Sequence, residues 1–153
     1  MDKKKIAIIA IVLLLVVGIA LGLVYQFVLK DGEAKKAILF EDIYDGEATE
    51  EILEKELEVK ISLFGVFFNM RQGKDEPKLR VTLTNKLETA KSFTLEVGAF
   101  DKETGELIKV STLEVESLEP GVAERFDMFT DVDITDKEIF FKAEYKIIKV
   151  VSK

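Results

Sequence analysis

The chain contains neither His nor Cys. The commonest general base, the thiol nucleophile and the usual zinc ligands are therefore missing, which excludes thiol chemistry and His- or Cys-built zinc sites. Carboxylates and hydroxyls remain. The densest group is DMFTDVDITDKE, which places Asp127, Asp131, Asp133 and Asp136 within ten residues. Closely spaced carboxylates are hard oxygen ligands, so Asp131, Asp133 and Asp136 are weak candidates for a Ca²⁺ site. An EF-hand loop counted from Asp131 requires Gly at its sixth position and Glu at its twelfth. Asp136 and Lys142 stand there instead. The expectation is a loop of solvated, turn-forming aspartates, with no metal and no cofactor. Ser62, Ser92 and Ser111 are the hydroxyls available to a Ser–Lys dyad, but each falls at a polar strand position without a G-x-S-x-G context. No Walker A or GxGxxG loop occurs among the nine glycines. Paired carboxylates for sugar hydrolysis would need an aromatic-lined cleft, and the chain has no Trp. A non-catalytic protein is expected, with a carboxylate-only enzyme as the remote alternative.

The elements that would position these residues divide sharply. MDKKK (1–5) is a basic tail, followed at 6–29 by IAIIAIVLLLVVGIALGLVYQFVL, which has no charge. Twenty-four residues at ~1.5 Å rise make a helix of about 36 Å, longer than the ~30 Å hydrocarbon core. A tilted transmembrane helix is expected, with Tyr25 near one interface. A cleaved signal peptide has a shorter apolar region and a small-residue cleavage site, whereas bulky residues end this run. A prepilin-type leader also lacks its small residue at KKKIA, so the anchor is expected to stay. Lys3, Lys4 and Lys5 precede the run and Lys30, Lys35 and Lys36 follow it. The flanking count is tied, and the short basic tail favours an N-terminus inside and a C-terminal domain outside the cytoplasmic membrane. Gly18 and Gly22 form a GxxxG face for helix–helix contact with another membrane subunit or a second copy, and Gln26 adds an interhelical donor and acceptor.

The chain holds 22 Lys and Arg against 29 Asp and Glu. Setting aside Lys3, Lys4, Lys5 and Asp2 leaves 19 against 28, a net charge of −9 from residue 6 onward. Such a domain repels phosphate backbones, so nucleic acid is not an expected partner. Scarce Asn and Gln beside abundant Glu and Lys resemble thermophile usage, and the lack of Cys leans towards an archaeal or other prokaryotic envelope.

Residues 30–56 are polar and mixed in sign, and a juxtamembrane connector with a short helical piece at 47–56 is expected there. From 57 the apolar period becomes two. Leu57, Val59, Ile61 and Leu63 alternate with polar residues; so do Leu79, Val81 and Leu83, and then Phe93, Leu95, Val97 and Ala99. Ile139, Phe141, Ala143, Tyr145 and Ile147 continue the pattern. Turn signals separate the runs: QGKDEP, NKLETA, DKETGE, EPG and TDKE. Residues 57–153 are thus expected to form an antiparallel β-sandwich of about seven strands. In DKETGE, Asp101 is expected to accept from the local backbone and Gly105 to take the left-handed position.

The segment 79–128 resembles the FxLYD and DUF3426-type immunoglobulin-like modules. The matching features are Asn85 at a strand end, Phe100–Asp101, Gly105, the Pro120–Gly121 turn and Phe126. VGAFD departs from the FxLYD form. The resemblance covers about a third of the chain. It implies an immunoglobulin-like fold behind a membrane anchor in a prokaryotic envelope protein, and no common enzymatic activity.

The run ISLFGVFFNMRQG (61–73) changes parity at Gly65. Phe64, Val66, Phe68 and Met70 form a second apolar set, and a bulge at Gly65 is expected, with most of the cluster in the core. Phe67 fits neither set and is the candidate protein contact. Together these features point to an accessory or scaffolding subunit of a membrane or envelope complex, bound to integral membrane or envelope proteins. The alternative is an archaellum-associated type of component tying a filament or surface layer to the membrane.

Overall fold

Residues 37–153 are described by the computed structural model, and Ala37–Lys153 form one compact unit. The apolar run 6–29, with Gly18, Gly22 and Gln26, lies outside the described residues. Among the described residues, no helix is long and apolar enough to cross a membrane.

Six strands carry the fold: β1 (Leu57–Asn69), β2 (Lys74–Asn85), β3 (Lys91–Asp101), β4 (Leu107–Leu118), β5 (Ala123–Met128) and β6 (Ala143–Ser152). They form two three-stranded antiparallel sheets, ordered β1-β2-β5 and β4-β3-β6. The sequence pattern suggested about seven strands. The alternation in β2 and β3 is what the sheets use: Leu79, Val81, Leu83, Phe93, Leu95 and Val97 are all buried. One apolar core takes side chains from both sheets. Burying a side chain of this size stabilises by roughly 1.5–3 kcal/mol, so these inward rows dominate the packing.

The polar segment before β1 belongs to the same unit. Helices α1 (Phe40–Ile43) and α2 (Gly46–Lys55) occupy it. The Asp45 amide donates to the Ile148 carbonyl at 3.1 Å, and the buried Thr49 hydroxyl accepts from the Val150 amide at 3.1 Å. These bonds satisfy backbone groups along the outer edge of β6, which would otherwise stand open to another strand. At the far end of α2 the Lys86 ammonium donates to the carbonyls of Leu53 and Glu54, at 2.6 and 3.0 Å. A cation there meets the orphan carbonyls of the last turn.

Two expectations are corrected. The run 138–150 is not strand throughout: a 3-10 turn (Ile134–Asp136) leads into helix α3 (Lys137–Lys142), and β6 begins only at Ala143. The helical turn directs Phe140 into the core, where its ring lies 5.6 Å from Phe64 and 6.0 Å from Phe129. Ile139 and Phe141 are left exposed. The bulge in β1 also lies elsewhere. Ile61 pairs with Val81 and Phe64 with Leu79, so Ser62 and Leu63 share the place opposite Arg80, while Gly65 pairs regularly with Lys78. The extra residue turns Phe64 inward (5% exposed) and Leu63 outward (91% exposed).

Candidate interaction surface

The chemistry-bearing side chains named by the sequence serve the backbone. The Ser111 hydroxyl accepts from the Phe129 amide at 3.1 Å, and the Ser92 hydroxyl from the Ser117 amide at 3.3 Å. Phe129 and Ser117 are the non-glycine residues with positive φ, 56° and 57°, among the described residues. Both serines thus brace backbone that L-residues rarely adopt. Ser62 lies exposed in the β1 bulge.

The aspartates do not converge. Asp131 receives the Lys109 ammonium at 2.7 Å, and that bond holds its carboxyl below the ordinary value. Asp133 accepts from the Thr135 amide and hydroxyl at 2.9 and 2.8 Å, bonds that likewise lower its carboxyl. Asp136 is exposed at the start of α3. Asp127 lies 2.8 Å from the Lys78 ammonium and 3.5 Å from the Arg80 guanidinium. Among the described residues no group of three or more acidic side chains is arranged to hold a metal ion.

Exposed apolar surface is the more distinctive feature. The β1–β2 hairpin is closed by a rigid turn in which the Asn69 side chain accepts from the amides of Arg71 (3.0 Å) and Gln72 (3.3 Å) and donates to Glu76 at 2.9 Å. The Gly73 amide returns to the Asn69 carbonyl at 2.8 Å, with Gly73 at φ +65°. On this frame Phe68 is 64% and Met70 88% exposed. Ser62–Met70 carry no charge, and β1 is an edge strand of its sheet. A long, charge-free, proline-free edge is the kind that folds usually blunt or cover.

Phe67 points to the outer face of the same hairpin and is half-buried. The Arg80 guanidinium lies 4.1 Å and the Lys78 ammonium 5.6 Å from its ring centroid. Its ring also covers Gly65, where a Cβ would lie 3.1 Å from it. An aromatic ring over a strand glycine shields backbone that has no side chain of its own. Leu63, Phe68 and Met70 are more exposed than Phe67 and were assigned inward by the parity argument. Moving the bulge two residues towards the N-terminus explains Leu63. Phe68 and Met70 belong to the part of the hairpin that extends beyond its pairing with β5, which ends at Leu79 and Met128.

A second apolar element lies beside the first. The Phe141 ring meets Phe64 edge-on, with centroids 5.4 Å apart, and Ile139 is exposed on the same helix. Tyr145 stacks beneath, 6.1 Å from Phe64, and its hydroxyl donates to the Phe140 carbonyl at 2.7 Å. Burial pushes that phenol above its ordinary pKa, so it remains a neutral donor that fixes the end of α3. The arrangement is a platform for apolar contact, with no nucleophile–base pair in it. No protein-family model, curated protein or solved structure matches the chain.

Proposed function

We propose that the protein is a non-catalytic, single-pass membrane protein that serves as an accessory or scaffolding subunit of a membrane or envelope complex. Residues 6–29 form its anchor, and the β domain lies outside the cytoplasmic membrane. The observation that carries this reading is the pairing of an uncharged 24-residue run with a domain that displays apolar edge residues. Gly18, Gly22 and Gln26 supply the contact face within the bilayer, and Phe67 with its exposed neighbours supplies one outside it.

The domain itself is an immunoglobulin-like sandwich. Supporting this, strands β1-β2-β5 and β4-β3-β6 follow the order in which such folds set A-B-E against C′-C-F, with crossings between sheets after β2, β4 and β5. Two marks of the resemblance also meet in space. The Asn85 side chain donates to the Leu118 carbonyl at 2.8 Å, and the Gly121 amide donates to the Asn85 carbonyl at 2.9 Å. Purification from native membranes in mild detergent is expected to bring down a stoichiometric partner. Recovery of a clean monomer would overturn the proposal.

A further inference from the structure

The β domain has two ends of different character, and the chain enters at the apolar one. Several segments meet at this end. The β1–β2 hairpin turns there, with Asn69 paired to Lys74. The β3–β4 turn is placed beside α3 by the pairing of Asp101 with Ala143, the residue that follows the helix. The segment Thr130–Ile134 borders Lys74–Pro77 in a shared cleft of about 230 Å³, smaller than the cleft of about 510 Å³ between Asp101–Glu103 and Phe141–Lys142. The entering segment joins them, because the Leu107 amide donates to the Ile38 carbonyl at 2.8 Å and Leu39 packs 3.9 Å from where a Gly105 Cβ would lie.

Ten large apolar residues are exposed among the described residues. Six of them belong to the entry, the hairpin and α3: Ile38 and Leu39 at the entry, Phe68 and Met70 on the hairpin, and Ile139 and Phe141 on α3. Leu63 and Val110 lie along strands, and Ile134 lies in the β5–β6 connection at the same end. Val122 alone of the ten belongs to the opposite end, in the turn after β4.

We infer that this end seats on the bilayer interface, with Phe68, Met70, Ile139 and Phe141 dipping among the lipid headgroups. The inference rests on residues 6–29 being the membrane anchor. Seven residues separate that run from Ala37. Eight extended steps reach at most roughly 26–29 Å, so the entry at Ala37–Leu39 can lie no farther than that from the end of the run. Aromatic and Met side chains suit that zone. Arg71 and Lys74 stand beside the hairpin pair and Lys137 and Lys142 bracket α3, but Asp75, Glu76, Asp136 and Glu138 lie beside them, so the seating is apolar and gains nothing from anionic headgroups. A closed turn held by Asn69 presents its apolar residues with little ordering left to lose on contact. Lipid is favoured over a protein partner because the apolar residues come from three separate segments brought to the tethered end.

The 153-residue chain has no Cys, so single labels can be introduced as Met70→Cys, Phe141→Cys and Val122→Cys. Each variant is placed in phosphatidylcholine nanodiscs, with and without phosphatidylglycerol, and its fluorophore is challenged with iodide and with doxyl-labelled lipid. Labels at 70 and 141 are expected to be quenched by the doxyl lipid and to be several-fold less accessible to iodide than the label at 122. Equal iodide access at all three positions, in a chain that alkaline carbonate fails to extract, would overturn the seating and leave the anchor standing. Shielding of 70 and 141 from both quenchers would also overturn it, since a protein would then cover this end. Release of the chain by carbonate without detergent would remove the anchor reading, and the seating with it.

Discussion

The opposite ends of the β domain use the same turn chemistry for different purposes. At the end away from the chain entry, Asn85 is fully buried and its amide donates to the carbonyls of Thr89 and Leu118 at 2.9 and 2.8 Å. Its oxygen accepts from the Leu87 amide at 2.9 Å, and Gly121 at φ +69° closes the corner. At the entry end, Asn69 and Asp101 make comparable bonds to neighbouring amides, and Gly73 and Gly105 take the same left-handed conformation. There the asparagine and aspartate side chains remain accessible, and the apolar residues beside them face outward. A polar side chain locks a corner when one of its partners, here the Leu118 carbonyl, is distant in sequence and dry. With only local partners it shapes a turn and leaves the surroundings open for contact.

Substitutions at matched positions sharpen this contrast. Asn85→Ala strands two carbonyls and an amide in the core, and a loss of about 3–5 kcal/mol is expected from the ~1–3 kcal/mol penalty per unsatisfied group. Urea unfolding of the full chain in detergent measures it, and a loss near that of a surface substitution would refute the corner. Gly98→Ala in β3 comes next, because its Cβ would fall 2.5 Å from the buried Phe100 ring and 2.8 Å from Ile148. Overpacking of this kind costs about 1–3 kcal/mol. At the entry end, Gly65→Ala meets only the half-exposed Phe67 ring, so it should lower the urea midpoint distinctly less.

Glu56 ties the closed end together, accepting from Ser152 at 2.6 Å and Lys91 at 2.9 Å. These bonds lower its carboxyl from the ordinary 4.5. The unfolded chain therefore binds the proton more readily. Its stabilisation is fully present above pH 4.5 and is lost as pH falls through the lowered folded value. Glu56→Gln is expected to cost about 1 kcal/mol at neutral pH. The difference from wild type should close on acidification, and a gap that persists in acid would contradict the linkage. Asn69→Ala removes local bonds on an accessible turn and should cost only about 0.5–1 kcal/mol. The smallest effect is expected for Phe68→Ser with Met70→Ser, within about 0.5 kcal/mol of wild type, as for surface substitutions generally. A large destabilisation there would mean that the hairpin tip packs inward.

How much could be anticipated from the sequence varies from element to element. The Asp101–Gly105 turn was legible because every partner lies within four residues: the Asp101 carboxylate accepts from Glu103 and Thr104, and the Gly105 amide returns to the Asp101 carbonyl. Those bonds also hold the Asp101 carboxyl below its ordinary value. Helix formation near 47–56 followed from composition, but its bond to β6 through Thr49 spans 101 residues and left no local mark. Asn85 was visible as a strand end, while its hold on Leu118 was not. The run EIFFKAEY fits a strand by alternation, but its first half forms a helical turn on which rings from β1 and from the Phe129 loop pack. The bulge in β1 was foreseen as a change of parity but placed at Gly65, since parity alone allows any site between Ile61 and Phe68. The contact candidate Phe67 was located on the outer face, and the cover that Arg80 gives it comes from the neighbouring strand.

By itself the sequence determined what depends on composition and near neighbours. Missing His and Cys side chains removed whole classes of chemistry, residues 6–29 stood out as a run without charge, and alternation with Asx and Gly turns specified antiparallel β structure. Only the tertiary structure decided which phenylalanines are core and which are surface, where the register slips, and how the edge of β6 is covered. Those outcomes depend on cross-strand hydrogen bonds and ring contacts between residues tens of positions apart. A slip of one residue reverses the facing of every side chain beyond it, so local pattern cannot choose between them.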